Sequence, residues 1–470
     1  MKRARWAIAV MCGLANSSTA QAQRAGAVLT PCTIERVPAP VLCGKVSVPE
    51  RREDPGSRRL ELNVMVLQAT DGAPLPDPVT FLAGGGVLPA TRLAPFLSRA
   101  LAETRRNRDI LLVDQRGTWN SNALTCPLDL PPPADLEPDS ALIRQQVERC
   151  LAEISSHADP RAYSTTRGMH DLEQVRTTLG YSQLNIWGLS YGTKAAREYL
   201  RLYPDKVRSL VLSGVVPRAR AWWGEIAVQS DRMLGELHRL CQADARCGAS
   251  VPDLRGSLRT LIARLELEPA RINDSTQVTA ADVRRVVVNR LGEGWSAATI
   301  PLLVRDGLAG DLTPFVPPRM GTPSIPPGVF YGLTCSEEFR RQEGERTRKT
   351  SAGTFLGASG VLRHLAVCAA WPTWQIEPGL WEEVTSAVPT LVLSGALDHI
   401  TPPEYAERVV ARLSRSRHLI LPLRGHNDFD PCLGGIMQRF IGNPDPAAVD
   451  ETCLRDTPPL RFPMSKAELR

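Results

Sequence analysis

Leu184-Asn185-Ile186-Trp187-Gly188-Leu189-Ser190-Tyr191-Gly192 runs from a short apolar block into a helical pattern at 193–202. Its centre is Gly-x-Ser-x-Gly, and the setting matters more than the motif. The apolar block predicts a buried strand and the spacing after Gly192 predicts a helix, so the serine sits on the turn between them. So sharp a turn forces Ser190 into a strained backbone conformation, and the flanking glycines remove side chains that would collide there. The hydroxyl then projects at the helix N-terminus, poised as a nucleophile. An inert serine in a tight structural turn is the plain alternative.

Outward from this turn, short continuous Val/Leu/Ile runs recur at 60–68, 79–83, 109–113, 207–216, 389–395 and 418–421. Unbroken apolar blocks suit parallel strands buried on both faces. Helical periodicities at 141–154 and 168–179 lie between them, and such alternation predicts an α/β fold with a mostly parallel sheet. The alternation stops between about 217 and 387. There the patterns at 232–243, 254–265 and 280–291 read as helices, which predicts a helical cap inserted into the sheet domain. The expected division is a leader at 1–22, a first core part at 23–216, the cap at 217–387 and a second core part at 388–470. Pro-rich stretches at 130–138 and 314–327 read as surface loops.

A serine hydroxyl is a weak nucleophile at neutral pH and needs a base, which an acid must orient. On a sheet of this kind the chain order is serine, acid, histidine, the last two on loops after later strands. Asp398 follows the run 391–397, and His426 follows the run 418–423, both in the required order. Of the seven histidines, His157, His170, His238 and His364 fall in or beside helical patterns. His418 lies inside a strand and His399 beside the acid. Asp398 alone has an ordinary reading as a turn former before Thr401-Pro402, and His426 alone as a surface loop residue. Taken together and in order they predict a catalytic Ser190, Asp398 and His426. Acyl transfer also needs donors for the developing oxyanion. The amide of Tyr191 is one, and Gly85 in the glycine run Gly84-Gly85-Gly86 after the strand at 79–83 is the other.

Composition narrows the partners. The chain of 470 residues is 43% hydrophobic and carries 56 Lys+Arg against 50 Asp+Glu, a net charge of +6. Lys2, Arg3 and Arg5 form a basic start, 6–15 an apolar stretch too short to span a bilayer, and Ala20-Gln21-Ala22 a small-x-small cleavage site. This reads as a secretory signal, so the mature chain starts at Gln23 and is periplasmic or extracellular. Losing three cations lowers the net charge from +6 to +3. That mild, dispersed excess excludes a nucleic-acid partner, and no later stretch predicts a membrane span. Cys12 leaves with the leader, so eleven cysteines become ten. They fall in successive close pairs: Cys32/Cys43, Cys126/Cys150, Cys241/Cys247, Cys335/Cys368 and Cys432/Cys453. Five local disulfides are expected in an oxidising compartment, with free buried thiols as the alternative. No spacing suggests a metal site, and no cofactor is implied.

These features resemble the α/β-hydrolase peptidase family S33, the prolyl and tripeptidyl aminopeptidases, in its secreted bacterial branch. The resemblance rests on Cys43-Gly44 through Val48-Pro49-Glu50, the glycine run after the strand at 79–83, Asp114-Gln115-Arg116-Gly117, the Ser190 turn, 394–402 and Gly425-His426. Thr334-Cys335-Ser336-Glu337 and Cys368-Ala369-Ala370-Trp371-Pro372 in the cap extend it. It implies a serine hydrolase that releases residues from free peptide N-termini. It further implies that acidic cap residues, here Glu337 with Glu338, bind the substrate's ammonium group. A solvated Glu337 in a first helical turn is the alternative. The family's usual Gly-Gly-Pro-Gly loop is replaced here by Gly84-Gly85-Gly86-Val87, a departure that points to drift toward ester or amide substrates. An esterase or amidase acting on small acyl substrates with the same three residues is therefore the second reading. Asp114 and Arg116 are expected to support the site's loops, and Trp222-Trp223 either wall the acyl pocket or simply pack.

Overall fold

The computed structural model describes residues 23–24, 27–85, 88–128, 130, 141–218, 221–274, 276–316 and 325–469. Residues 1–22, where a leader is expected, Gly86-Val87 and most of the two Pro-rich stretches lie outside the described residues.

Twelve strands are described: β1 (Gln23–Arg24), β2 (Ala27–Pro31), β3 (Val41–Pro49), β4 (Arg59–Leu67), β5 (Val79–Leu82), β6 (Ile110–Val113), β7 (Leu184–Leu189), β8 (Val207–Ser213), β9 (Ala270–Asn273), β10 (Thr276–Val278), β11 (Thr390–Gly395) and β12 (Ser416–Leu421). Ten of them form one sheet in the order β1-β2-β3-β4-β6-β5-β7-β8-β11-β12. From β6 to β12 every neighbouring pair is parallel, and β1 to β4 extend the sheet with antiparallel strands. The fold is an α/β architecture with a mostly parallel central sheet. The cause is visible in burial. Every residue of β5, β6 and β11 is buried, as expected where helices cover both faces. β12 alternates instead, with Ile420 exposed, because it is the sheet's edge.

The antiparallel strands β2 and β3 carry no unbroken apolar run, so the sequence pattern did not predict them. β3 buries Val41, Val46 and Val48 and leaves intervening positions wetter, the period-two signature of a strand with one covered face. The small antiparallel pair β9–β10 is likewise a strand element inside the predicted helical stretch.

Between β8 and β11 the chain is mainly helical, and packing divides it in two. Helices Ile226–Ala243, Leu254–Leu267, Ala280–Arg290 and Ile300–Leu308 bury Leu237, Leu258, Leu261, Val283, Val287 and Val304 against one another in a core of their own. Helices Pro327–Glu337 and Ser359–Ala370 instead bury Val329, Leu333 and Val367 in the core that lies under the sheet. Among the described residues no helix is long and apolar enough to cross a membrane.

The ten cysteines from Cys32 onward stand in the five sequential pairs, with S–S separations from 1.91 to 2.08 Å, so the alternative of free buried thiols does not hold for them. Cys32, just past β2, is joined to Cys43 in β3. Cys126 is joined to Cys150, which the helix Ala141–Ser155 buries in the core under the sheet. Cys241 and Cys247 close the corner between helix Ile226–Ala243 and the short helix Ala245–Ser250, and both are buried in the cap's own core. Cys335–Cys368 ties the two sheet-facing cap helices together. Cys432, in the first turn of helix Pro431–Gly442, is joined to Cys453, which is exposed on the turn Thr452–Leu454.

Candidate active site

Strand β7 delivers Ser190 directly to the helix Tyr191–Leu202, and the serine holds φ 55° and ψ −122°. That positive φ is costly for a residue with a β-carbon and persists only where the surroundings impose it. Two glycines permit the imposition. A β-carbon on Gly192 would stand 1.8 Å from the Leu82 carbonyl oxygen, and one on Gly188 would stand 2.5 Å from the Gly192 oxygen. The helix thus starts pressed against the end of β5, and any side chain at position 192 would force them apart.

The loop after β5 closes over the serine. Gly84 is buried, and a β-carbon there would lie 3.0 Å from Ser190 Cβ and 3.6 Å from its Oγ. Gly85 is exposed with φ 68°, and its N–H has no hydrogen-bond partner among the described residues. The Tyr191 N–H belongs to the first helical turn, whose amides find no intrahelical acceptor. Asp114 anchors this region: its carboxylate accepts from Thr91 N at 2.9 Å, Thr91 Oγ1 at 2.7 Å and Asn63 Nδ2 at 2.9 Å. Arg116 forms a buried two-pronged pair with Asp171 at 2.6 and 2.7 Å and also donates to the Ala162 and Glu50 carbonyls.

Asp398 and His426 meet at the ends of β11 and β12. His426 Nδ1 lies 2.8 Å from Asp398 Oδ2, and the carboxylate's other oxygen accepts from the Ile400 and Thr401 amides, each at 2.8 Å. Thr401 Oγ1 stands 2.7 Å from Asp398 Oδ2 and 2.9 Å from His426 Nδ1. Burial pushes the Asp398 carboxyl up, but the adjacent His426 and the hydrogen bonds from His426 and Thr401 outweigh it and hold the group at about 2. It is therefore ionised at neutral pH. Thr401 escaped the sequence reading. Its place three residues after an acid at a strand end was the available signal.

Ser190 is brought to the same place by β8. Its amide donates to the Ser213 carbonyl at 2.9 Å, and the next residue, Gly214, lies against the His426 ring, where a β-carbon would be 3.0 Å from Cε1. Ser190 and His426 thus flank the same two residues. Ser190 Oγ has no hydrogen-bond partner among the described residues; such bonds in ligand-free sites are often long and tighten with substrate. A cavity beside His426 is walled by Phe96, Trp187, Phe429 and Leu433.

The two cap glutamates are buried, Glu337 completely. Glu337 closes the helix Pro327–Glu337 rather than opening one, which removes the alternative of a solvated first-turn residue. It accepts from Thr165 N at 2.7 Å and Thr165 Oγ1 at 2.6 Å, and its Oε2 pairs with Lys194 Nζ at 2.8 Å. Glu338 Oε1 pairs with the same ammonium. Burial opposes the charge on Lys194, yet the two carboxylates raise its pKa, while burial pushes the Glu338 carboxyl up against the pull of Lys194. Trp223 packs on Phe330, Phe339 and His364 in an aromatic cluster, and Trp222 on Trp223.

Known proteins resemble this chain in sequence. A family model described as alpha/beta hydrolase fold matches residues 82–257, which hold the Ser190 turn, and one described as TAP-like protein matches 355–453, which hold Asp398 and His426. The chain is 25% identical to a tripeptidyl aminopeptidase of Streptomyces coelicolor, over 93% of this chain and 87% of that protein. It is 29% identical to a probable proline iminopeptidase of the same organism, over 49% of this chain and 57% of that one. The serine protease Hip1 of Mycobacterium tuberculosis is 26% identical over 40% of this chain and 39% of its own. The chain has the α/β-hydrolase fold, and these matches support an S33 aminopeptidase-like serine hydrolase.

Proposed function

We propose that the chain is an exported serine aminopeptidase of the tripeptidyl or prolyl type, with Ser190 as nucleophile, His426 as general base and Asp398 as its orienting acid. Ser190 Oγ attacks the scissile carbonyl carbon as its proton passes to His426 Nε2, and the Nδ1–H is held on Asp398. The amides of Tyr191 and Gly85 receive the oxyanion. Collapse of the tetrahedral intermediate breaks the C–N bond, and His426 returns the proton to the departing amine. Water then repeats the sequence on the acyl-enzyme, giving a free carboxylate and restoring Ser190.

The observation that carries this reading is the 2.8 Å contact of His426 with Asp398 beside a serine held at φ 55°. The aminopeptidase assignment is supported by the named relatives, and export by the five cysteine pairs. Both oxygens of Glu337 are engaged, so in this reading Glu338 carries the larger share of ammonium binding, with Glu337 holding Lys194 beside it. This reading takes 23–216 and 388–470 as the hydrolase core and 217–387 as the cap.

One observation favours the esterase or amidase reading: Lys194 already occupies the cationic place between the two cap carboxylates. Labelling with an active-site phosphonate followed by peptide mapping tests the shared chemistry. The label is expected on Ser190 and absent from Ser190→Ala and His426→Ala proteins; label elsewhere, or full activity in Ser190→Ala, contradicts it.

A further inference from the structure

The loop that carries His426 is held by the cap as well as by β11: Leu397 N donates to the Arg424 carbonyl at 2.8 Å on the sheet side. Residues 291–294, which join helix Ala280–Arg290 to the short helix Gly294–Ala297, lie against it backbone to backbone. Asn427 N donates to the Gly292 carbonyl at 2.9 Å. Asp428 Oδ2 accepts from Gly425 N at 2.6 Å on the histidine loop and from Gly294 N at 2.8 Å on the cap connector. One carboxylate oxygen therefore joins the residue before His426 to the cap.

Three glycines make the approach this close. A β-carbon on Gly294 would stand 2.1 Å from the Leu423 carbonyl oxygen, and one on Gly425 would stand 2.7 Å from that of Gly292. On the other side, a β-carbon on Gly395 would meet the Arg424 and Gly425 oxygens at 2.4 and 2.5 Å. The histidine loop is thus clamped between β11 and the cap connector, with no room on either side for a side chain.

Packing reinforces the clamp. Leu423 has φ 56°, an outlier for a residue with a branched side chain, and that side chain packs on the cap's own core of Leu291, Ala297 and Ala298. Leu397, immediately before Asp398, is buried in the same cluster. The residues leading into both Asp398 and His426 therefore rest on the cap rather than under the sheet.

We propose that Asp428 is a positioning residue for the reaction: through Gly425 and Gly294 it makes the seating of the cap set the place of the His426 imidazole. The inference rests on His426 being the general base. A shift of about 1 Å in a proton-transfer group costs on the order of 100-fold in rate.

The test measures kcat and KM per phosphonate-titrated site on a free-amine peptide anilide, with melting temperature, for Asp428→Ala, Asp428→Asn and Gly294→Ala. Asp428→Ala is expected to lower kcat about 100-fold with KM within about twofold. Asp428→Asn is expected to restore most of it, because the amide oxygen can still accept both N–H groups. Gly294→Ala, which drives the connector off the Leu423 carbonyl without changing any residue of the histidine loop, is expected to repeat the kcat loss. It decides the matter if Asp428→Ala does not fold. A kcat per titrated site within about twofold of the parent in either folded variant, or a loss confined to KM, overturns the proposal. His426→Ala is run beside them: full activity there removes the general-base reading itself, a result distinct from failure of the Asp428 role.

Discussion

Lys194→Met offers a sharp test of how the cap is bound to the helix that presents Ser190. The side chain sits in the first turns of that helix and is 1% exposed, with Glu337 and Glu338 at 0% and 8%. Methionine keeps most of the volume and removes the charge, leaving two carboxylates buried side by side. Breaking a buried ion pair from one side typically costs about 3–5 kcal/mol, because an uncompensated charge is left behind. For a chain this long, each kcal/mol lowers Tm by roughly 1 °C, so a drop of about 3–5 °C is expected. The sign with pH follows from the same cause. In the variant one carboxyl must be raised above its unfolded value, so the folded state holds a proton that the unfolded chain has released. Stability is then lost as pH rises through that window and regained as it falls, so the deficit should shrink between about pH 7 and 5. Urea melts of Lys194→Met at both pH values, beside a Lys194→Met/Glu337→Gln/Glu338→Gln triple variant, measure it. The triple variant should recover most of the loss. A single-variant deficit under about 1 kcal/mol, or one indifferent to pH, would show that the pair does not hold the cap in this way.

Thr401→Val removes the hydroxyl that touches both Asp398 and His426; kcat is expected to fall about 10-fold with Tm little changed, as read by steady-state kinetics. His399 is buried and held at about 4, because burial disfavours its charged form more than Asp398 favours it. Its unfolded pKa is near 6.5, so the unfolded chain binds the extra proton and stability falls as pH drops from about 6.5 to 4, by roughly 3 kcal/mol. His399→Gln should flatten the urea midpoint across that window. Removing the Cys335–Cys368 bridge with a double alanine variant frees a 33-residue separation and should cost about 4 kcal/mol, seen as a lower urea midpoint.

The Ser190 turn was legible because its requirements are local. Gly188, Ser190 and Gly192 meet each other and one neighbouring strand, so their spacing in the chain is their spacing in space. The cysteine pairs were legible for a similar reason: Cys241 and Cys247 are six residues apart, and Cys150 and Cys453 each join the cysteine that precedes them in the chain. The meeting of Asp398 and His426 was legible through order alone, each at the end of an apolar run that became β11 or β12. The parallel strands announced themselves as unbroken apolar blocks, whereas β2 and β3 did not, since a strand with one wet face and a Pro- or Gly-bearing sequence shows no such block. What stayed hidden depends on distant partners. Nothing near Lys194 in sequence tells that Glu337 and Glu338 will reach it from the cap. The division of the cap between two cores follows from which helix face meets the sheet, and a helical period alone does not encode that.

The proposed enzyme is a serine peptidase that requires a free amino terminus. The most direct measurement compares kcat/KM for a free-amine tripeptide anilide and its N-acetylated twin, with Ser190→Ala protein as the blank. An ammonium held by a buried carboxylate contributes about 1.5–3 kcal/mol, so the free substrate should be preferred at least 10-fold, with no turnover in the blank. Equal rates for the two substrates would contradict the aminopeptidase assignment, and undiminished turnover by Ser190→Ala would contradict the site itself.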